Sequence, residues 1–213
     1  MPHVIEPIYN KNIDDALADL YKAHEFLVCR AKDKILAFSG AEMNAWGIDS
    51  KRITVDLRCN TRPSLIGKEE EKLFEVVNIA ATVERLIAAI EWFKSNYHLL
   101  KIRECHPSTS DEVDENDLVL QDENGVIVAR CEVCDVVSDN ANSNNKERKE
   151  LRNLGCADLV PPDEIKRYIC TAPEFAIALT RKRRIWATKH YKYEQFLVGD
   201  ASDTRLLLIN PGN

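Results

Sequence analysis

Apolar residues recur at three- and four-residue spacing through Ala16, Leu17, Leu20, Ala23 and Leu27, which predicts a helix with one buried face. Asn12 and the acids Asp14 and Asp15 supply its cap and first turn. A stretch bearing Gly40, Gly47, Pro63 and Gly67 is then expected to break regular structure, with a short strand over Ile53–Arg58. A second long helix is expected to begin within Glu69–Lys72 and run to about Tyr97. Its apolar stripe through Leu73, Val76, Val77, Ala80, Val83, Leu86, Ile87, Ile90 and Phe93 is broad enough to sit against a core.

Beyond Leu99 the hydrophobic period shortens. Leu99–Arg103 reads as a strand, a polar segment spans Pro107–Glu115, and two further strands cover 117–121 and 126–137. Asn124-Gly125 between them is a strong hairpin signal. The polar run Ser138–Asn145 reads as a loop, followed by a helix from Lys146 that Gly155 stops. Arg167–Ala172 is another strand, Pro173 opens a helix to about Trp186, and Arg205–Asn210 is a last strand ended by Pro211-Gly212. Three meandering strands, then helix, strand, helix and strand, predict an α/β fold: a mixed sheet with helices on both sides. The expected division is an N-terminal, mainly helical extension over 1–70 and an α/β core over 71–213.

Composition narrows the class without naming a chemistry. With 45% hydrophobic and 30% charged residues, the 213-residue chain reads as an ordinary soluble globular protein. No apolar run approaches the ~20 residues a bilayer demands, and the N-terminus lacks a signal-peptide pattern, so a cytoplasmic location without a membrane partner is expected. Seven cysteines in a chain of this size read as reduced thiols. Cys29, Cys59 and Cys105 are expected to be small buried hydrophobes. The net charge of −6 gives no general attraction to nucleic acid. A local basic segment does exist: Arg181, Lys182, Arg183, Arg184, Lys189 and Lys192. By itself that segment reads first as a solvated helix face with Trp186 packed underneath.

The chemistry concentrates in the hairpin. Strand alternation over 126–137 puts Arg130, Glu132 and Cys134 on one face and Cys131, Val133 and Asp135 on the other. If Asp117 pairs across the hairpin onto the first face, its carboxylate and that of Glu132 can share a hard divalent cation, with the Val133 carbonyl as a further oxygen ligand. Two other readings stand beside this one. Glu132 could form a structural ion pair with Arg130, and Asp117 could cap a loop. Cys131 and Cys134 have the spacing of half a zinc site, but an extended strand turns them to opposite faces and no second such pair follows.

Asn116-Asp117 and Glu132-Val133-Cys134 in this context resemble the PD-(D/E)XK nuclease superfamily, the fold of many restriction endonucleases and DNA-repair nucleases. The resemblance covers about residues 75–210, and Asn116 in the proline position is given no functional weight. It implies a restriction-endonuclease-like fold and metal-dependent hydrolysis of DNA, with Mg²⁺ or Mn²⁺ held by Asp117 and Glu132. Glu84 or Glu91 on the preceding helix would assist. It further implies the basic segment as the phosphate-backbone contact, and a homodimer by analogy. Cys134 stands where the family has a lysine that orients the attacking water and stabilises developing charge. A thiol carries no fixed positive charge. Lys149 or Lys146 on the next helix could replace that lysine; both equally fit a solvated Lys/Glu face. The same departure supports a second expectation, a nuclease fold kept as a non-catalytic nucleic-acid-binding or protein-interaction module.

Overall fold

The computed structural model describes residues 11–46, 73–96, 104–107, 116–134, 149–156, 164–173, 176–177, 191–198 and 204–211. By packing, the chain divides into two units, one of Met1–Leu20 with Glu84–Asn213 and the other of Tyr21–Val83. The division cuts through two long helices, α1 (Ile13–Trp46) and α2 (Leu73–Ser95). In the smaller unit, Leu27, Ala31, Ala80 and Val83 are buried.

Asn12 caps α1 as its sequence suggests, its Oδ1 accepting the Asp15 N–H at 2.9 Å. The helix then runs through Gly40, where a break is expected from sequence. A lone glycine costs a helix only about 1 kcal/mol relative to alanine. The helix formers around it, Ala37 and Ala41-Glu42-Met43, absorb that cost. The expected strand at Ile53–Arg58 lies outside the described residues.

The larger unit holds a mixed sheet of seven strands: β1 (Lys11–Asn12), β2 (Glu104–Pro107), β3 (Leu118–Gln121), β4 (Ile127–Cys134), β5 (Lys166–Thr171), β6 (Tyr191–Val198) and β7 (Thr204–Pro211). Their order is β1-β2-β3-β4-β5-β7-β6. β2, β3 and β4 form an antiparallel meander, β5 joins β4 in parallel, and β7 and β6 close the other end antiparallel. The mixed α/β architecture expected from sequence is therefore present. The β3–β4 turn forms where Asn124-Gly125 predicts it. Gly125 has φ +76°, and Asp122 Oδ1 accepts the N–H groups of Asn124 and Val126 at 2.8 and 2.9 Å. β4 carries a bulge just after this turn, so its strict alternation holds from Ala129 onward.

Each face of the sheet has its own covering. On one, Trp92 and Phe93 of α2 meet Tyr168 of β5, and Trp92 also meets Phe196 of β6, with ring centroids 5.0–6.1 Å apart. On the other, Leu151, Leu154 and Cys156 pack with Cys134, Ile169, Leu207 and Ile209. Leu151 belongs to helical residues 149–153. The parallel β4–β5 pair needs a crossover between its strands, and this helix lies on that crossover. Its end forms a Schellman motif: Cys156 N–H bonds the Leu151 carbonyl at 2.7 Å and Gly155 N–H the Arg152 carbonyl at 2.8 Å. Gly155 supplies the positive φ of +72° that this stop requires.

A buried carboxyl cluster between the hairpin and the crossover helix

Glu132 lies near the C-terminal end of β4, 1% exposed. Pairing of Leu118 with Cys131 sets the hairpin register. One step further along it, Asp117 falls opposite Glu132 on the same face. Asp117 is fixed there by its Oδ2, which accepts the Val133 N–H at 2.7 Å. The Val133 group that engages Asp117 is thus its amide.

A third carboxyl enters from the crossover helix. Glu150, 5% exposed, hydrogen-bonds the Glu132 side chain. Two ionised carboxylates are acceptors only, so a bond between them requires a proton. Burial is the main cause that pushes the Glu132 carboxyl up to about 10, followed by the Asp117 charge and the bond to Glu150. Asn116 works in the opposite direction. Its Nδ2 donates to Glu132 Oε1 at 2.6 Å and to the Asn153 carbonyl at 3.0 Å. The Asn153 carbonyl belongs to the last helical turn, which lacks intrahelical donors. A single amide therefore ties β3, β4 and the helix end together.

The alternative ion pair between Glu132 and Arg130 is not formed: the described bonds of Glu132 go to Asn116 and Glu150. Arg167, the neighbour of Arg130 across the β4–β5 rung, donates to the Leu154 and Ile165 carbonyls at 2.6 and 2.7 Å.

The remaining sequence candidates are placed unevenly. Cys134 is fully buried in the apolar cluster with Leu151 and Leu154, where a lysine ammonium would be desolvated at high cost. Cys131 faces the opposite way, and burial pushes its thiol well above the usual range. It is a protonated, inert thiol, and the two cysteines share no zinc site. Cys134, Cys156 and Cys170 are likewise buried, reduced thiols, whereas Cys29, expected inside, is exposed. Lys149 is exposed, one position before Glu150; successive helical residues diverge by about 100°. Glu84 is exposed on α2, and Glu91 is half-buried there with a partner of its own. Lys146, Arg181, Lys182, Arg183, Arg184 and Lys189 lie outside the described residues. Lys192 is exposed on β6, a strand that the sequence reading merged into the basic segment.

Asn116 and Glu150 are the site residues that sequence reasoning passed over. Glu150 carried a readable signal, since it lies four positions before Leu154, on the stripe that the helix buries.

Magnesium is commonly held by one or two carboxylates together with waters and substrate phosphates. Asp117 and Glu132 fit that donor chemistry, and a cation would offset the burial and the Asp117 charge that together push the Glu132 carboxyl up. Among the described residues, no group of three or more His, Cys, Asp or Glu side chains is arranged to hold a metal ion, so the fit is to a two-carboxylate site completed by substrate. No described helix is long and apolar enough to cross a membrane. Comparison with family models, curated proteins and solved structures found no match.

Proposed function

We propose that this chain is a restriction-endonuclease-like, metal-dependent nuclease that hydrolyses DNA phosphodiester bonds with Mg²⁺ or Mn²⁺. The observation that carries the proposal is the meeting of Asp117 and Glu132 on one sheet face, Glu132 buried and held by Asn116, Asp117 held by the Val133 amide. Structural carboxylates are ordinarily exposed or matched to a cation. Glu132 is neither exposed nor, among the described residues, matched to a cation. The order helix, three-strand meander, helix, parallel strand also supports the reading, being the order on which the family resemblance rests.

Asp117 and Glu132 would be the ligands, Glu132 giving up its proton to solvent as the ion binds. A bound divalent ion supplies charge neutralisation at the scissile phosphate and a more acidic water. Asp117 is oriented by the Val133 amide and Glu132 by Asn116, so both carboxyls are held before any ion arrives. Lys149 or Lys146, and the basic segment through Lys192, would complete the charge complement toward the DNA backbone. Cytoplasmic location and a homodimer belong to the same proposal.

One observation favours a second reading. The motif-lysine position is filled by Cys134 inside an apolar cluster, as suits a nuclease fold retained as a non-catalytic binding module. A plasmid-nicking assay in Mg²⁺ or Mn²⁺ separates the two. Metal-dependent nicking that Glu132→Ala abolishes is the expected result. Absence of metal-dependent cleavage of any DNA or RNA by the wild-type chain would leave the binding module.

A further inference from the structure

The two ends of the sheet are built differently. One ends in β1, two residues long, and the other in β6, eight residues long. A short edge strand offers little to a neighbouring chain, and prolines, bulges and clustered charges protect longer ones. β6 has none of these protections. Tyr191–Val198 holds no proline, its pairing with β7 runs from end to end without a register shift, and its two charges, Lys192 and Glu194, cancel. Among the described residues, β6 pairs with β7 alone.

The side chains of β6 show an edge that is open on both faces. Tyr193 packs against the apolar cluster of the crossover helix, whereas Phe196 meets Trp92, so odd and even positions face opposite sides of the sheet. Gln195 and Leu197 on the first side, and Lys192 and Glu194 on the second, are all exposed. Leu197 is 68% exposed, more than any other large hydrophobic residue among those described. Alternate residues of an antiparallel strand turn their N–H and C=O groups away from its neighbour, so β6 presents a row of them at the end of the sheet.

We propose that β6 is a self-association edge, on which a second copy of this chain adds its own β6 antiparallel, two-fold about Gln195, so that two sheets become one. The pattern of the strand selects both the occupant and the register. An antiparallel two-fold places one residue opposite its own copy. An axis at Lys192 or Glu194 would set like charges directly across from each other, which is destabilising. An axis at Tyr193 or Phe196 would pair only five residues of the strand. At Gln195 seven residues pair, 192 to 198, and no like charges meet. Leu197 then lies across from the partner's Tyr193 on both sides of the axis, an aromatic–aliphatic pair of the kind that stabilises sheets. A strand of zero net charge does not repel its own copy. The dimer stands on β6 alone, whether or not the chain nicks DNA.

The test is sedimentation velocity on the full chain over a concentration series up to about 100 μM. Wild type should shift with concentration toward twice the 24.3 kDa chain mass. Leu197→Lys, Gln195→Lys and Gln195→Glu alter exposed side chains, so each should keep the wild-type circular dichroism spectrum. Each alone should weaken self-association at least about tenfold, the two Gln195 variants by setting like charges across the axis. An equimolar mixture of Gln195→Lys and Gln195→Glu should restore the dimer, because opposite charges then face each other there. A wild type that stays monomeric throughout the series overturns the proposal. So does a dimer that all three variants leave intact, which would have to form elsewhere on the molecule. Charge variants that weaken the dimer singly but fail to restore it together overturn the pairing at Gln195.

Discussion

Asn116 donates its side-chain amide to Glu132 at 2.6 Å while the same nitrogen reaches the Asn153 carbonyl at 3.0 Å. One residue at the mouth of β3 thus satisfies a buried acid and an orphan helix carbonyl together. Removing it exposes neither group to water, so both lose a partner inside the protein. Asn116→Ala should destabilise the chain by about 1–3 kcal/mol, lowering the thermal midpoint by ~2–4 °C for each kcal/mol. Thermal denaturation followed by circular dichroism checks this; an unchanged midpoint would show the two bonds to be dispensable.

Glu132 gives stability a pH dependence of definite sign. Its carboxyl titrates near 10 when folded, against an ordinary value of 4.5, chiefly because of burial. Between those values the folded chain holds a proton that the unfolded chain has released. Stability from this group is therefore full below about 4.5 and is lost progressively as pH rises toward 10. Glu132→Gln keeps the shape, donates to Glu150 as the protonated acid does, and has nothing to titrate. In EDTA it should be more stable than wild type at pH 8 by roughly 2–4 kcal/mol, with the gap closing near pH 4. Parallel pH slopes for the two proteins would contradict the assignment of the proton to Glu132.

If a divalent cation replaces that proton, binding must release it. Titration calorimetry with Mg²⁺ or Mn²⁺ near pH 7, in buffers of different ionisation enthalpy, should report about one proton released per ion bound. Affinity should rise with pH over the same range. Asp117→Asn retains an oxygen to accept the Val133 N–H but loses the charge, so it should remain folded and lose metal binding. Asp117→Ala should lose both. Uptake of the ion without proton release would rule out Glu132 as a ligand.

The helix stop at Gly155 can be tested independently of function. A Cβ there would meet nothing closer than Arg167 Nη2 at 4.0 Å, so the position has room for alanine. The φ of +72° is the obstacle. Gly155→Ala should cost about 1–2 kcal/mol from the left-handed backbone alone. Arg167→Met should cost more, roughly 2–4 kcal/mol, because it removes two charged hydrogen bonds to carbonyls. Chemical denaturation of both variants measures the difference, and a Gly155→Ala protein as stable as wild type would refute the strain.

Strand alternation was enough to place Arg130, Glu132 and Cys134 on one face, and Asn124-Gly125 enough to place the turn that brings Asp117 across to them. Both depend on neighbours within a few residues. Gly155 was legible for the same reason. β6 was not, because Tyr191–Val198 follows directly on a basic run whose composition suits a helix face. Its identity as a strand comes from pairing along the whole length of β7, a distant partner invisible to a local window. The run through Gly40 misled in the opposite direction, since one glycine is a weak breaker inside a long helix.

Sequence alone determined the alternation of β4, the hairpin, the helix stop and the candidacy of Asp117 and Glu132. All of these are properties of backbone period and turn chemistry. Tertiary structure decided that Glu150, out of a Lys/Glu-rich run, turns inward onto Glu132. It also decided that Asn116 is the bond between hairpin and helix, and that Cys134 belongs to an apolar cluster. Those outcomes depend on how the crossover helix is rotated and docked on the sheet. That rotation is fixed by packing of Leu151 and Leu154 against Ile169 and Leu207, residues brought together only when the chain closes on itself.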